Sequence, residues 1–262
     1  MTFQNLRQML AVTALLIVTS SVALAGEENQ TDRRFYATIG TGIDFNRGDF
    51  GEGITTNSAS IPFFAKFEWE PVTFRASVAL LYIDGSDQIT GDGANEDPVG
   101  AQSRTSYGVG DVTTSLTYTY YPERQSPLPI VDLYTKVKIH SSAPADLGSS
   151  GTDITLGTEL AKTFGIVSLF GGTGYRIKTG DLFDNLWLAS AGGSVKVAKR
   201  VSIGVAYDFR QSSTSSGTDS HEVSPYLSIR MSKHVRLTPY GLIGLSDGAP
   251  NWGAGTTVSY TF

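Results

Sequence analysis

The stretch IPFFAKFEWEPVTFRASVALLYI, residues 61–83, constrains the fold more than any other part of the chain. In its first arm Ile61, Phe63, Ala65, Phe67 and Trp69 share one face, with Pro62, Phe64, Lys66 and Glu68 on the other. After Glu70-Pro71, the apolar face continues through Val72, Phe74, Ala76, Val78, Leu80 and Tyr82, opposed by Thr73, Arg75, Ser77, Ala79 and Leu81. A period of two is that of a β-strand. Each arm also has the roughly 9–11 residues that a tilted strand needs to cross hydrocarbon, where a globular strand averages about 5–6.

The pattern recurs. RFYATIGTGIDF precedes the hairpin, and DVTTSLTYTYY, VDLYTKVKIH, DITLGTELA, IVSLFGGTGYRIK, LWLASAGGSVKV, VSIGVAYDFR, EVSPYLSIRM, VRLTPYGLIGL and AGTTVSYTF follow it, making twelve strands. Their connections alternate in length. Long ones run over Asn46–Ala59, Asp84–Gly108, Ser141–Gly151, Thr179–Asn185, Gln211–Ser220 and Ser246–Gly253; short ones lie at Glu70-Pro71, Pro122–Leu128, Lys162–Gly165, Ala198–Arg200 and Ser232–His234. Such alternation is expected of an all-β, transmembrane, antiparallel up-and-down barrel with long extracellular loops, short periplasmic turns and both chain ends in the periplasm.

The amino terminus agrees with export. Residues 1–25 have Arg7 in a short polar lead, an apolar run from Met9 to Val18, and small residues at Ala23 and Ala25, which reads as a signal peptide cleaved after Ala25. The apolar run is shorter than the ~20 residues of a spanning helix. Residues 26–262 are then a single barrel domain. Their lack of a long apolar run is no objection, because a barrel strand exposes only alternate residues to lipid, and a mean hydropathy of −0.07 fits that composition.

A formal charge of −5 with 20 Lys+Arg argues against nucleic-acid binding. The absence of cysteine excludes disulfides, thiolate nucleophiles and cysteine-ligated metals. The three histidines have no ligand spacing, so neither a metal nor another cofactor is expected. Asp84, Asp87, Asp92, Glu96 and Asp97 in the longest loop supply oxygens that could attract calcium, yet without the ligand order of a helix-loop-helix site.

Aromatic residues gather near both ends of the strands, as rings at a membrane interface do: Trp69, Phe74, Tyr118, Tyr120, Tyr260 and Phe262 at one rim, and Phe45, Tyr82, Tyr175, Trp187, Tyr207 and Phe209 at the other. Barrel closure requires the last strand to pair with the first, so that no edge meets lipid. The terminal strand resembles those of many outer-membrane barrels, with aromatic residues at alternate steps ending in phenylalanine. That resemblance implies that Tyr260 and Phe262 form the signal read by the barrel-insertion machinery of a Gram-negative outer membrane.

GVGDVTTSLTYTYYP, from Gly108 to Pro122, resembles the Gly-x-Gly-Asp strand of the outer-membrane family associated with the meta-cleavage pathway of phenol degradation. KIHSSAPADLGSSGTDITLGTEL is similar to that family's lysine-led segment and its Leu-Gly-Thr strand, here Leu156-Gly157-Thr158. His140-Ser141-Ser142 stands where the family has Pro-Thr-Gly, and Glu159 where glycine is common. The resemblance implies a barrel that is porin-like or that aids uptake of aromatic compounds.

The alternation assigns an interior. Its charged candidates are Lys66, Arg75, Asp111, Asp132, Lys136, Lys138, Asp153, Glu159, Arg176, Asp208, Arg210, Glu222, Arg230 and Arg236. Neither sign dominates. A mixed interior suits a hydrated pore for small solutes, and equally a barrel closed by ion pairs whose loops bind a partner; twelve strands lie between the eight that side chains can fill and the sixteen that leave a channel. Catalysis is disfavoured. His140 and Ser142 have the spacing of an outer-membrane phospholipase pair, but the Asn-Gly that follows the serine there is missing and His140 shares the inward register of Lys136 and Lys138. His221, beside Ser220 and Glu222, is no better placed.

Overall fold

The computed structural model describes residues 35–50, 55–86, 103–123, 126–141, 151–179, 184–213 and 217–262. The expected signal peptide lies outside them. The described chain forms thirteen strands: β1 (Phe35–Gly48), β2 (Thr56–Trp69), β3 (Val72–Ser86), β4 (Ser103–Val109), β5 (Val112–Tyr120), β6 (Ile130–Ile139), β7 (Asp153–Phe164), β8 (Val167–Lys178), β9 (Leu186–Ala198), β10 (Val201–Arg210), β11 (Ser220–Arg230), β12 (Val235–Gly244) and β13 (Trp252–Thr261). Every neighbour pair is antiparallel, and β1 closes the sheet on β13 from Thr38↔Thr261 to Arg47↔Trp252.

Thirteen strands make twelve wall positions, because β4 and β5 share one. The lower part of β3 pairs with β5 (Ser77↔Thr113) and its upper part with β4 (Leu80↔Val109). Between these pairs Val78 and Ala79 face Gly110, Asp111 and Val112, a bulge with one extra residue. This corrects the expected loop from Asp84 to Gly108. The β3–β4 hairpin continues through Ser86↔Ser103, and only 87–102, with Asp87, Asp92, Glu96 and Asp97, lie outside the described residues. The first long connection is shortened in the same way, since β1 runs to Gly48 and β2 starts at Thr56. Strand pairing beyond the apolar zone continues where both arms remain polar and antiparallel, a contribution that apolar periodicity cannot register.

The short turns fall where expected, with small shifts. Glu70-Pro71, a cis bond, joins β2 to β3. The turn expected over Lys162–Gly165 is displaced to Gly165-Ile166: Phe164 pairs with Val167, and Gly165 takes φ 61°, which glycine adopts without steric cost.

The outer face is apolar and uncovered. Ile39, Ile43, Leu116, Leu133, Ile203 and Val205 are each about half exposed, while their strand neighbours on the other face are shielded. Aromatic rings bound this belt at both rims. At the loop end Tyr175 meets Trp187 (4.9 Å between ring centres) and Phe45 meets Trp252 (5.4 Å). At the turn end Phe35 stacks on Phe67 (6.1 Å), and Tyr260 meets His234 (5.5 Å) and Phe262 (5.0 Å). A soluble sheet would have to cover such a face; a membrane does so instead.

Candidate functional site

The inward face begins as a problem of space. Twelve wall positions around a closed ring turn many side chains toward one axis, and glycine supplies part of the room. Phe64 faces Gly40, Tyr134 faces Gly157, Phe170 faces Gly192, Tyr226 faces Gly204 and Tyr240 faces Gly255, each as a direct cross-strand pair. A Cβ at any of these glycines would collide with the facing ring. The rings therefore lie against the wall over glycine, as aromatic residues do when they cover a strand glycine. Phe170, Ala206 and Tyr226, with Ala161 and Tyr240 against them, form a small apolar patch inside the barrel.

Charged residues take the remaining positions in order. Following the hydrogen-bonding direction, one row reads Thr38, Lys66, Arg75, Ser115, Lys136, Thr155, Arg176 across β1, β2, β3, β5, β6, β7 and β8. A second reads Thr119, Asp132, Glu159, Gly172, Ser190, Asp208, Glu222, Gly244 across β5 to β12. The first row contains no carboxylate and the second no cation. On β6 and β7 they stand four residues apart, Lys136 from Asp132 and Thr155 from Glu159.

Local partners hold several of these groups. Lys66 Nζ lies 2.8 Å from Glu68, and Lys138 Nζ lies 2.8 Å from Asp153, the residue facing it on β7. Ser220 donates to Glu222 at 2.8 Å. Asp44, only 2% exposed, accepts from Ser60 at 3.3 Å and from the hydroxyl of Tyr240. Asp111 sits in the β4–β5 break, accepts the Ser141 N–H at 2.9 Å and has His140 at 3.7 Å.

Thirteen of the fourteen expected interior residues lie within strands on the shielded register; Asp111 occupies the bulge, buried at 8% exposure. Lys66, Asp132, Asp153, Arg210 and Glu222 are likewise buried, whereas Arg230 ends β11 exposed at the turn rim, opposite Arg236. Asp44 and Tyr240 form a contact that no local pattern announces, because they are brought together only by the β1–β13 and β12–β13 pairings. Its sole sequence signal is the inward position of each on its own strand.

Catalytic geometry is not assembled among the described residues. His140 meets Asp111, while the Ser141 hydroxyl donates to the Ile139 carbonyl at 3.1 Å; Ser142 lies outside them. His221 points outward into the rim, with Tyr207 Oη at 2.7 Å and the Phe209 ring 5.1 Å away. No group of three or more His, Asp or Glu suited to a metal occurs among the described residues.

Of the carboxyl-terminal residues expected to serve insertion, Tyr260 lies on the closing strand and Phe262 just past its end. Tyr260 and Phe262 are exposed at the turn rim, and Phe262 donates its N–H to Ala37 on β1 at 2.9 Å. His234 Nδ1 lies 2.8 Å from the Thr261 carbonyl and pins the same end.

A closed wall with an apolar exterior, two aromatic rims and a charged interior defines the class: this is the fold of outer-membrane β-barrels. Solved structures agree. An outer-membrane channel from Pseudomonas putida F1 superposes with a TM-score of 0.62 at 15% identity, covering 90% of this chain and 100% of that one. The KdgM porin follows at 0.56 and 10% identity, covering 86% and 99%, and the translocator domain of the autotransporter NalP from Neisseria meningitidis at 0.54 and 8%, covering 95% and 94%. No family model matches the sequence, and no curated protein does.

Proposed function

We propose that the protein is a porin-like channel of a Gram-negative outer membrane, giving passive or weakly selective passage to small solutes. The observation that carries this reading is the contrast between the two faces of one closed wall: the exterior is bare and apolar, whereas the interior holds ordered rows of charge. Charge inside a lipid-embedded wall is costly without water or close partners, and a hydrated path supplies the water. The fold shared with channel and porin structures supports the same reading.

Residues 1–25 are the export signal, both ends of residues 26–262 face the periplasm, and Tyr260 and Phe262 present the insertion signal. The protein is not an enzyme and needs no cofactor. The resemblance of Gly108–Pro122 to the meta-cleavage pathway family favours aromatic compounds among the solutes.

A second reading has its own support. Lys66–Glu68 and Lys138–Asp153 pair within the interior, as they would in a barrel closed by its own side chains that serves as a structural or partner-binding surface. Planar-bilayer recording of the purified barrel separates the two. Stepwise openings support the channel, and a correctly folded barrel with neither conductance nor liposome swelling leaves the closed form.

A further inference from the structure

The two charge rows have a consequence for the solute, resting on the channel reading. We infer that the interior selects small zwitterions, solutes of amino-acid size with opposite charges at their two ends, over neutral solutes of equal size.

On β6 the acidic row starts below the basic one, Asp132 lying four residues nearer the short turns than Lys136. Four residues span about 13 Å of strand, or about 10 Å along the barrel axis at a tilt of roughly 40°. Rows perpendicular to tilted strands climb around the wall. One such row leaves Thr163, beside the short turn of β7, passes Tyr226 and Asp44, and ends at Gly108, beyond the bulge and toward the loop end. With strands about 4.8 Å apart the climb is about 3 Å per strand. Over the four wall positions from β6 to β10 the acidic row thus rises about 12 Å and regains the level of Lys136.

Asp208 therefore stands about level with Lys136 and Glu222 about 3 Å above Asp208, and β11 lies five of twelve positions around the wall from β6, nearly across the lumen. The basic side is broad: Arg75, Lys138 and Arg176 are all within electrostatic reach of Lys136, and Glu159 is the acidic group that acts on it. Lys138 is neutralised by Asp153, and Arg210 offsets part of the Glu222 charge. The remaining imbalance still points from the β6 side to the β10–β11 side. Groups fixed in a low-dielectric wall act across the gap, whether or not each has a local partner. A dipolar solute gains at both ends. An anion gains at one and loses at the other, and a neutral solute gains at neither.

Liposome swelling with glycine, glycolate and glycolamide, which are nearly equal in size, tests this. Wild-type barrel is expected to admit glycine several-fold faster than glycolamide. Lys136→Gln and Asp208→Asn, made separately on the two walls, should each bring that ratio toward one, and either variant that folds is sufficient to decide. Equal rates for glycine and glycolamide through a barrel that conducts potassium chloride would overturn the inference and leave the channel intact, as would a preference unchanged in either variant that folds. A folded barrel that conducts nothing would overturn the channel reading and this inference with it.

Discussion

Tyr240 on β12 donates its hydroxyl to Asp44 on β1, reaching over Gly255 of the intervening β13. The contact ties the first strand to the penultimate wall position across the seam that closes the barrel. Tyr240→Phe removes the donor and leaves a buried carboxylate with Ser60 at 3.3 Å. Loss of a bond to a buried charged group costs about 1–3 kcal/mol. A lower urea midpoint for unfolding of the purified barrel is the expected result; an unchanged midpoint would show that the seam does not depend on this bond.

Gly204 is filled by its neighbour's ring. Because a Cβ there would meet Tyr226, Gly204→Ala must push the ring toward the axis or part the strands. The variant should refold in lower yield, and Gly204→Ala/Tyr226→Ala should recover part of that yield. Heat-modifiable migration on gels measures both.

Lys138 and Asp153 face one another with side chains 16% and 5% exposed. Removing one member strands the other, so Lys138→Met alone should cost about 3 kcal/mol. Replacing both, as Lys138→Met/Asp153→Leu, should cost much less, because neither charge then remains to be solvated. Urea unfolding of the three barrels is the measurement.

Orientation is open to direct labelling, because the native chain has no cysteine. Asp247→Cys, between β12 and β13, should react with a membrane-impermeant maleimide on intact cells, whereas Lys233→Cys, in the turn before β12, should not. The reverse pattern would invert the proposed topology.

Deleting Phe262 removes the exposed terminal ring together with its N–H bond to Ala37. The amount of inserted barrel should fall several-fold while export and signal cleavage continue. Phe262→Tyr, which keeps both the ring and the bond, should insert normally. If deletion leaves insertion unchanged, Phe262 is only part of the rim.

The sequence by itself determined what is local. Residues 61–83 show two arms and the Glu70-Pro71 turn because side-chain direction alternates with every residue, and long and short connections follow from where that alternation lapses. The strand-borne members of the expected interior set, between Lys66 and Arg236, follow the same alternation, since each strand declares its own two faces, whereas Asp111 falls in the bulge and Arg230 at the exposed turn rim. Tertiary structure decided which of those residues meet. Pairing register is set between strands, and Asp44 and Tyr240 lie 196 positions apart, so no strand pattern taken alone places them together. The same holds for Tyr226 over Gly204, and for the alignment of Lys66, Arg75, Lys136 and Arg176 in one row with Asp132, Glu159, Asp208 and Glu222 in another. The bulge at Gly110-Asp111 was hidden too, because it is defined only against Val78 and Ala79 on the strand it faces. Alternation fixes the face of a side chain; only closure of the ring, with its stagger, fixes its height and its neighbours.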